Sequence, residues 1–129
     1  MSEDHLIELV RKNNIADLIG YLGTNINQRN TKGDTALLIA TRLNNRTLVN
    51  HLINLGADFN QENQRGTTAL TLAIFNGYMD IAKDLIFSGA KILTEKDKAG
   101  DSSHLVHTAT YKANLRKIEK ECNIKADRN

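Results

Sequence analysis

Apolar residues come along this chain in short clusters separated by polar joints rich in asparagine. Leu48, Val49, Leu52 and Ile53 fall at i, i+1, i+4 and i+5, the stripe of a helix with one buried face. Leu37, Ile39 and Ala40 form a second cluster just before it, and Asn44-Asn45 between the two reads as a turn. Thr35 is placed to start the first helix, and Gly56 to end the second where φ must be positive. From Ala57 to Arg65 the chain is polar, carries Asn60 and Asn63, and reads as an extended loop or hairpin.

The pattern then returns in register. Gly33-Asp34-Thr35-Ala36-Leu37 corresponds to Gly66-Thr67-Thr68-Ala69-Leu70, 33 residues on. Ala40 corresponds to Ala73, Asn44 to Gly77, and Leu48-Val49 to Ile81-Ala82. Leu52-Ile53 corresponds to Leu85-Ile86, and Gly56-Ala57 to Gly89-Ala90. One offset kept over so many positions defines an internal repeat. Helices below roughly 12–15 residues are marginal alone in water, so each unit must bury its stripe against its neighbours and the units stack. Ala40 and Ala73 are small enough for close helix packing.

A 33-residue helix–turn–helix period opening on Gly-x-Thr-x-Leu resembles the ankyrin repeat. The family's Thr-Pro-Leu-His-x-Ala signature stands here as Thr35-Ala36-Leu37-Leu38-Ile39-Ala40 and Thr68-Ala69-Leu70-Thr71-Leu72-Ala73. Its Gly-Ala-Asp-Val-Asn signature stands as Gly56-Ala57-Asp58-Phe59-Asn60. Ala36 and Ala69 replace the usual Pro, and Leu38 and Thr71 the usual His, which costs local rigidity and leaves the pattern intact. The resemblance implies an all-α repeat solenoid in a single domain, with about four stacked helix–turn–helix units joined by hairpin loops.

The two ends diverge, as terminal repeats with a polar outer face do. Gly23-Thr24-Asn25-Ile26-Asn27 resembles a unit end, and Gly23 precedes Gly33 by the same 10 residues that separate Gly56 from Gly66. Leu6, Leu9 and Val10 then supply a first helix, and Ile15, Leu18, Tyr21 and Leu22 a second that is about two residues short. Beyond Gly100, Ser103-His104-Leu105 takes the place of Thr-Ala-Leu, and Leu115, Ile118 and Cys122 form the last stripe. The expected units are 1–30, 31–63, 64–97 and 98–129.

Composition narrows the class of function. Lys plus Arg number 17 and Asp plus Glu 15, a net charge of +2 that does not call for a nucleic-acid partner. Few aromatics are present to stack on bases. No apolar run reaches the roughly 18 residues of a membrane span, and the segment from Met1 to Glu8 lacks a signal-peptide core. With Cys122 the only cysteine, no internal disulfide forms, and a cytoplasmic, monomeric protein is the expectation.

His104 and His107, three residues apart, and Cys122 in the same unit are the one constellation with metal-ligand character, and zinc needs further ligands. Glu119 and Glu121 beside Cys122 work against an activated thiolate. No phosphate loop, nucleophile elbow or His-Glu-x-x-His run occurs. The expectation is therefore no enzyme, no cofactor and no metal. The basic stretch from Lys112 to Lys125 reads as the solvated face of a terminal helix.

The family resemblance implies a partner protein docked on the concave side, on loop tips and the exposed face of each first helix. The matching tips are Arg29, Thr31, Lys32 and Asp34, then Glu62, Gln64, Arg65 and Thr67, then Lys96, Lys98 and Asp101. The matching helix ends are Arg42-Leu43, Phe75-Asn76 and Thr110-Tyr111. Leu43, Phe75 and Tyr111 are large residues where the family leaves solvent, and Arg42 beside them is a common hot-spot companion. Phe75→Arg is accordingly expected to spare stability and weaken binding. Lys32 and Arg65 at equivalent tips point to a partly acidic partner surface. The functional expectation is a module that binds one partner and inhibits or neutralises it, as small immunity proteins do by analogy. An adaptor bridging two proteins is the alternative, and a metal enzyme on His104 and His107 a distant third.

Overall fold

The computed structural model describes residues 5–94 and 104–124. Among them are seven α-helices, one 3-10 turn and no strand. Helices α1 (His5–Lys12) and α2 (Ile15–Leu22) form the first pair. Helices α3 (Ala36–Arg42) and α4 (Arg46–Asn54) form the second, and α5 (Ala69–Asn76) and α6 (Met79–Ser88) the third. A 3-10 turn (His104–His107) leads into the longest helix, α7 (Ala109–Cys122). Helix α1 packs on α3, α3 on α5 and α5 on α7, giving an inner row, while α4 packs on α6 outside it.

A side-chain cap starts five of the seven described helices. Thr35, Thr68 and Thr108 cap α3, α5 and α7, each hydroxyl accepting from the backbone N–H three residues on. Asn14 and Asn45 do the same for the outer helices α2 and α4. Asn13 and Asn44 take positive φ (56° and 57°) at the turn between paired helices, the place that Gly77 fills in the third unit. The asparagine-rich joints of the sequence are thus caps and left-handed turns.

The core is one continuous cluster. Leu37, Leu48, Leu52, Leu70, Ile74, Ile81, Leu85 and Ile118 are all buried in it. Leu18 and Leu22 of α2 join it, whereas Tyr21 turns outward and meets the His5 ring edge-on, with centroids 5.0 Å apart. Polar ladders tie the loops of successive units together. The Asn27 side-chain oxygen accepts from Asp58 N (2.8 Å) and that of Asn60, 33 residues on, from Lys91 N (2.9 Å). On the outside, the Asp84 carboxylate accepts two bonds from Arg46 (2.7 and 3.1 Å) and one from Asn50 (2.8 Å), joining α6 to α4.

The Arg46 hydrogen bonds hold the Asp84 carboxyl below the ordinary carboxylate range. A lowered carboxyl pKa adds stability above the ordinary value of about 3.9, and that stability is lost as pH falls through the lowered value. Asp84→Asn is therefore expected to be less stable than wild type at neutral pH, with the gap closing below about pH 4. Urea titrations across that range check it, and a gap that is constant with pH counts against the coupling.

The last unit departs from the expected helix–turn–helix. Before α7 the described residues of this unit hold only the 3-10 turn, and no break follows Tyr111, because Thr108 caps a helix running on to Cys122. Tyr111 is consequently 1% exposed, with its hydroxyl donating to the Leu93 carbonyl. Asn114, one turn on, donates to the Ile74 carbonyl (2.8 Å) and closes the C-terminal end of α5. Tyr111→Phe leaves the Leu93 carbonyl without this donor and is expected to cost about 1–3 kcal/mol. Equal melting temperatures for variant and wild type would show that the hydroxyl contributes nothing.

Candidate protein-binding groove

The loops that enter α3 and α5 have the same construction. The Asn30 side-chain oxygen accepts from the backbone N–H groups of Lys32 and Asp34, and that of Asn63 from Arg65 and Thr67. Each loop turns at a glycine with positive φ, Gly33 at 79° and Gly66 at 76°. At Gly33 a Cβ would stand 2.9 Å from Gln64 N, so the second loop lies directly on the first. Gln64 completes the contact by donating from Nε2 to the Thr31 carbonyl (2.9 Å) and from its backbone N to the Lys32 carbonyl (3.3 Å).

Two adjoining hollows open between these loops and the inner helices. The first, about 450 Å³, is walled by Ile7 and Arg11 of α1, by Ile39, Arg42 and Leu43, and by loop residues including Lys32, Gln64 and Arg65. The second, about 300 Å³, is walled by Leu72, Phe75, Asn76, Thr67, His104 and Leu105. Arg42, Asn63 and Arg65 line both hollows and form the saddle between them.

The charge of this groove is one-sided. Arg11, Lys32, Arg42 and Arg65 are exposed along it. Asp34 is the one carboxylate among the described residues that line either hollow, and it is only 2% exposed. Its two oxygens accept from Arg42 Nη1 (3.2 Å) and from Asn63 Nδ2 (3.0 Å). Asp34 therefore holds an arginine and the next loop in place and presents little charge to a ligand.

Most of the residues expected from sequence converge here. Lys32, Arg42, Leu43, Gln64 and Arg65 share the first hollow, and Phe75 and Asn76 the second. Three expectations need correction. Tyr111 is buried, since the one continuous helix turns it into the core. Asp34 is a buried tie between loops and offers no exposed contact. Phe75 is half-buried and packs on the core, so Phe75→Arg would not spare stability. Arg29 lies outside both hollows, its guanidinium against the Gln61 side-chain amide. Lys96, Lys98 and Asp101 fall outside the described residues.

Sequence reasoning passed over Ile7, Arg11, Leu72, His104 and Leu105 as groove residues. Arg11 could have been found, because Asn13-Asn14 and Asn44-Asn45 repeat at 31 residues, which places Arg11 opposite Arg42. His104 is an exposed groove residue, and no group of three His, Cys, Asp or Glu among the described residues is placed to hold a metal ion. No described helix is long and apolar enough to cross a membrane.

Stacked helix pairs with capped loops and an inner-face groove define a helical repeat protein. The family model for ankyrin repeats (3 copies) matches residues 6–96, and the chain belongs to the ankyrin-repeat family. Such repeats generally mediate protein–protein interaction and typically carry no catalysis of their own. No curated protein matches the chain closely enough to count as a relative.

Proposed function

We propose that this protein captures one specific partner protein in the groove between its inner helices and loop tips, and that capture itself inhibits or neutralises the partner. The observation that carries this reading is the saddle of Arg42 and Arg65 between two partly apolar hollows. Apolar walls flanking guanidinium groups combine desolvation with charge-assisted hydrogen bonds, the composition of binding hot spots. The cations along the groove favour a partner with an acidic surface and speed its approach. The lone Cys122 suits a reducing compartment, and we place the protein in the cytoplasm as a monomer.

Arg65→Glu tests the reading, with Arg116→Glu on the exposed face of α7 as the control. A partner recovered from the native host by wild type and by the α7 variant should be lost, or bound roughly thirtyfold more weakly, by Arg65→Glu. Equal binding by all three would remove the groove from consideration. Recovery of the partner's own activity when it is mixed with Arg65→Glu, and loss of that activity with wild type, distinguishes inhibition from simple tethering.

A further inference from the structure

The groove changes character along its length. Arg11 and Lys32 line the first hollow and not the second, while Arg42 and Arg65 are shared by both. Arg11, Lys32 and Arg65 form no ion pair among the described residues. The Asp34 carboxylate beside Arg42 is buried and already accepts two bonds. Of the apolar side chains in the first hollow, Ile39 is buried, which leaves Ile7 and Leu43 to face a ligand. The second hollow adds no further Lys or Arg, and Leu72, Phe75 and Leu105, all half-buried, stand in its wall. The gradient is written into the repeat. Arg42 ends α3, its counterpart Arg11 lies in the last turn of α1, and its counterpart 33 residues on, near the end of α5, is Phe75. Unpaired cations gathered on one surface attract an anion, whereas a half-exposed apolar wall gains only from an apolar group.

We propose that the partner's contact surface is bipartite, with an acidic patch seated over Arg11 and Lys32 and an apolar patch seated over Leu72, Phe75 and Leu105. The Arg42–Arg65 saddle lies at the join. The groove therefore accepts its partner in one direction, with the acids towards α1. A nucleic-acid strand meets the cations but leaves the apolar end unmatched. This deepens the proposed function and rests on the groove being the binding face.

A displayed random-peptide library selected on the immobilised protein, with Arg65→Glu as counter-target, supplies groove-dependent probes. The expected clones carry an acidic block and a separate apolar block. Each is titrated as a fluorescein-labelled peptide against wild type, the double variant Arg11→Gln with Lys32→Gln, and Leu72→Gln. Titrations at about 0.01 M and about 0.1 M salt set the Debye length near 30 Å and near 10 Å. Loss of the two cations should weaken binding about tenfold at the lower salt and flatten the salt dependence. Leu72→Gln should weaken binding about tenfold at both salts and leave the salt dependence unchanged. Leu105→Gln, on the 3-10 turn, repeats that measurement without touching α5. A benzophenone placed in the apolar block should label α5 or the 3-10 turn, and one placed among the acids should label α1 or the loop that carries Lys32. Reversed labelling, clones without acids, or one salt dependence for all variants overturns the inference and leaves the binding face standing. Tighter binding by a labelled oligodeoxythymidine than by any clone overturns it as well. Absence of any clone lost on Arg65→Glu overturns both readings.

Discussion

Leu85→Ala is expected to cost roughly 2–5 kcal/mol, which for a protein of this size is a large share of its total stability. Leu85 is 0% exposed, at the middle of α6. That helix packs on α5, α4 and α7, so the cavity opens at a junction of two units and the terminal helix. Repeat stacks hold together through nearest-neighbour interfaces, and a short one has few to spare. Loss of the α6 interface should therefore release α7 with it. Thermal unfolding followed by circular dichroism reads the effect, and hydrogen exchange reports whether α7 loses protection together with α6. A variant that melts with wild type would show that Leu85 lies outside the core and that the 33-residue register of the third unit is wrong.

The second large effect is expected at a polar residue. Asn63→Ala removes two acceptor bonds to the backbone N–H groups of Arg65 and Thr67 and the donor bond to Asp34. At about 1 kcal/mol for each neutral bond, and more for the one to a carboxylate, the cost is roughly 3 kcal/mol. The change also strips Asp34 of one of its two side-chain partners and frees the loop that carries Arg65. Stability and partner binding should fall together, whereas Arg65→Glu should lower binding with little change in stability. Urea denaturation beside a binding titration separates the two patterns. Wild-type stability in Asn63→Ala would mean that backbone turns alone hold the loops.

Much of this was legible in the order of residues because it is local. The threonine caps, the positive-φ turns and the apolar stripes are settled within a few residues of each other, and the 33-residue spacing of Gly33 and Gly66 carries the stacking with it. The groove was legible in part for the same reason. Arg42, Leu43 and Arg65 stand at fixed places in the unit, so the register of the repeat puts them on the inner side.

The misses are places where a distant segment decides. Tyr111 looked exposed because a regular unit would break after it. The break is absent since Thr108 caps a helix that runs on to Cys122, and α5 supplies the surface on which that helix lies. Asp34 looked like a solvent-facing loop tip, yet Asn63, 29 residues further on, folds back to cover it. Arg11 was hidden by an offset of 31 in place of 33, a shift that only matters once α1 is laid beside α3. The sequence by itself therefore determined the helix pairs of the first three units, the repeat and the family. Tertiary structure alone decided which polar side chains are buried ties and which stay exposed, because burial depends on what a neighbouring unit places on top of them.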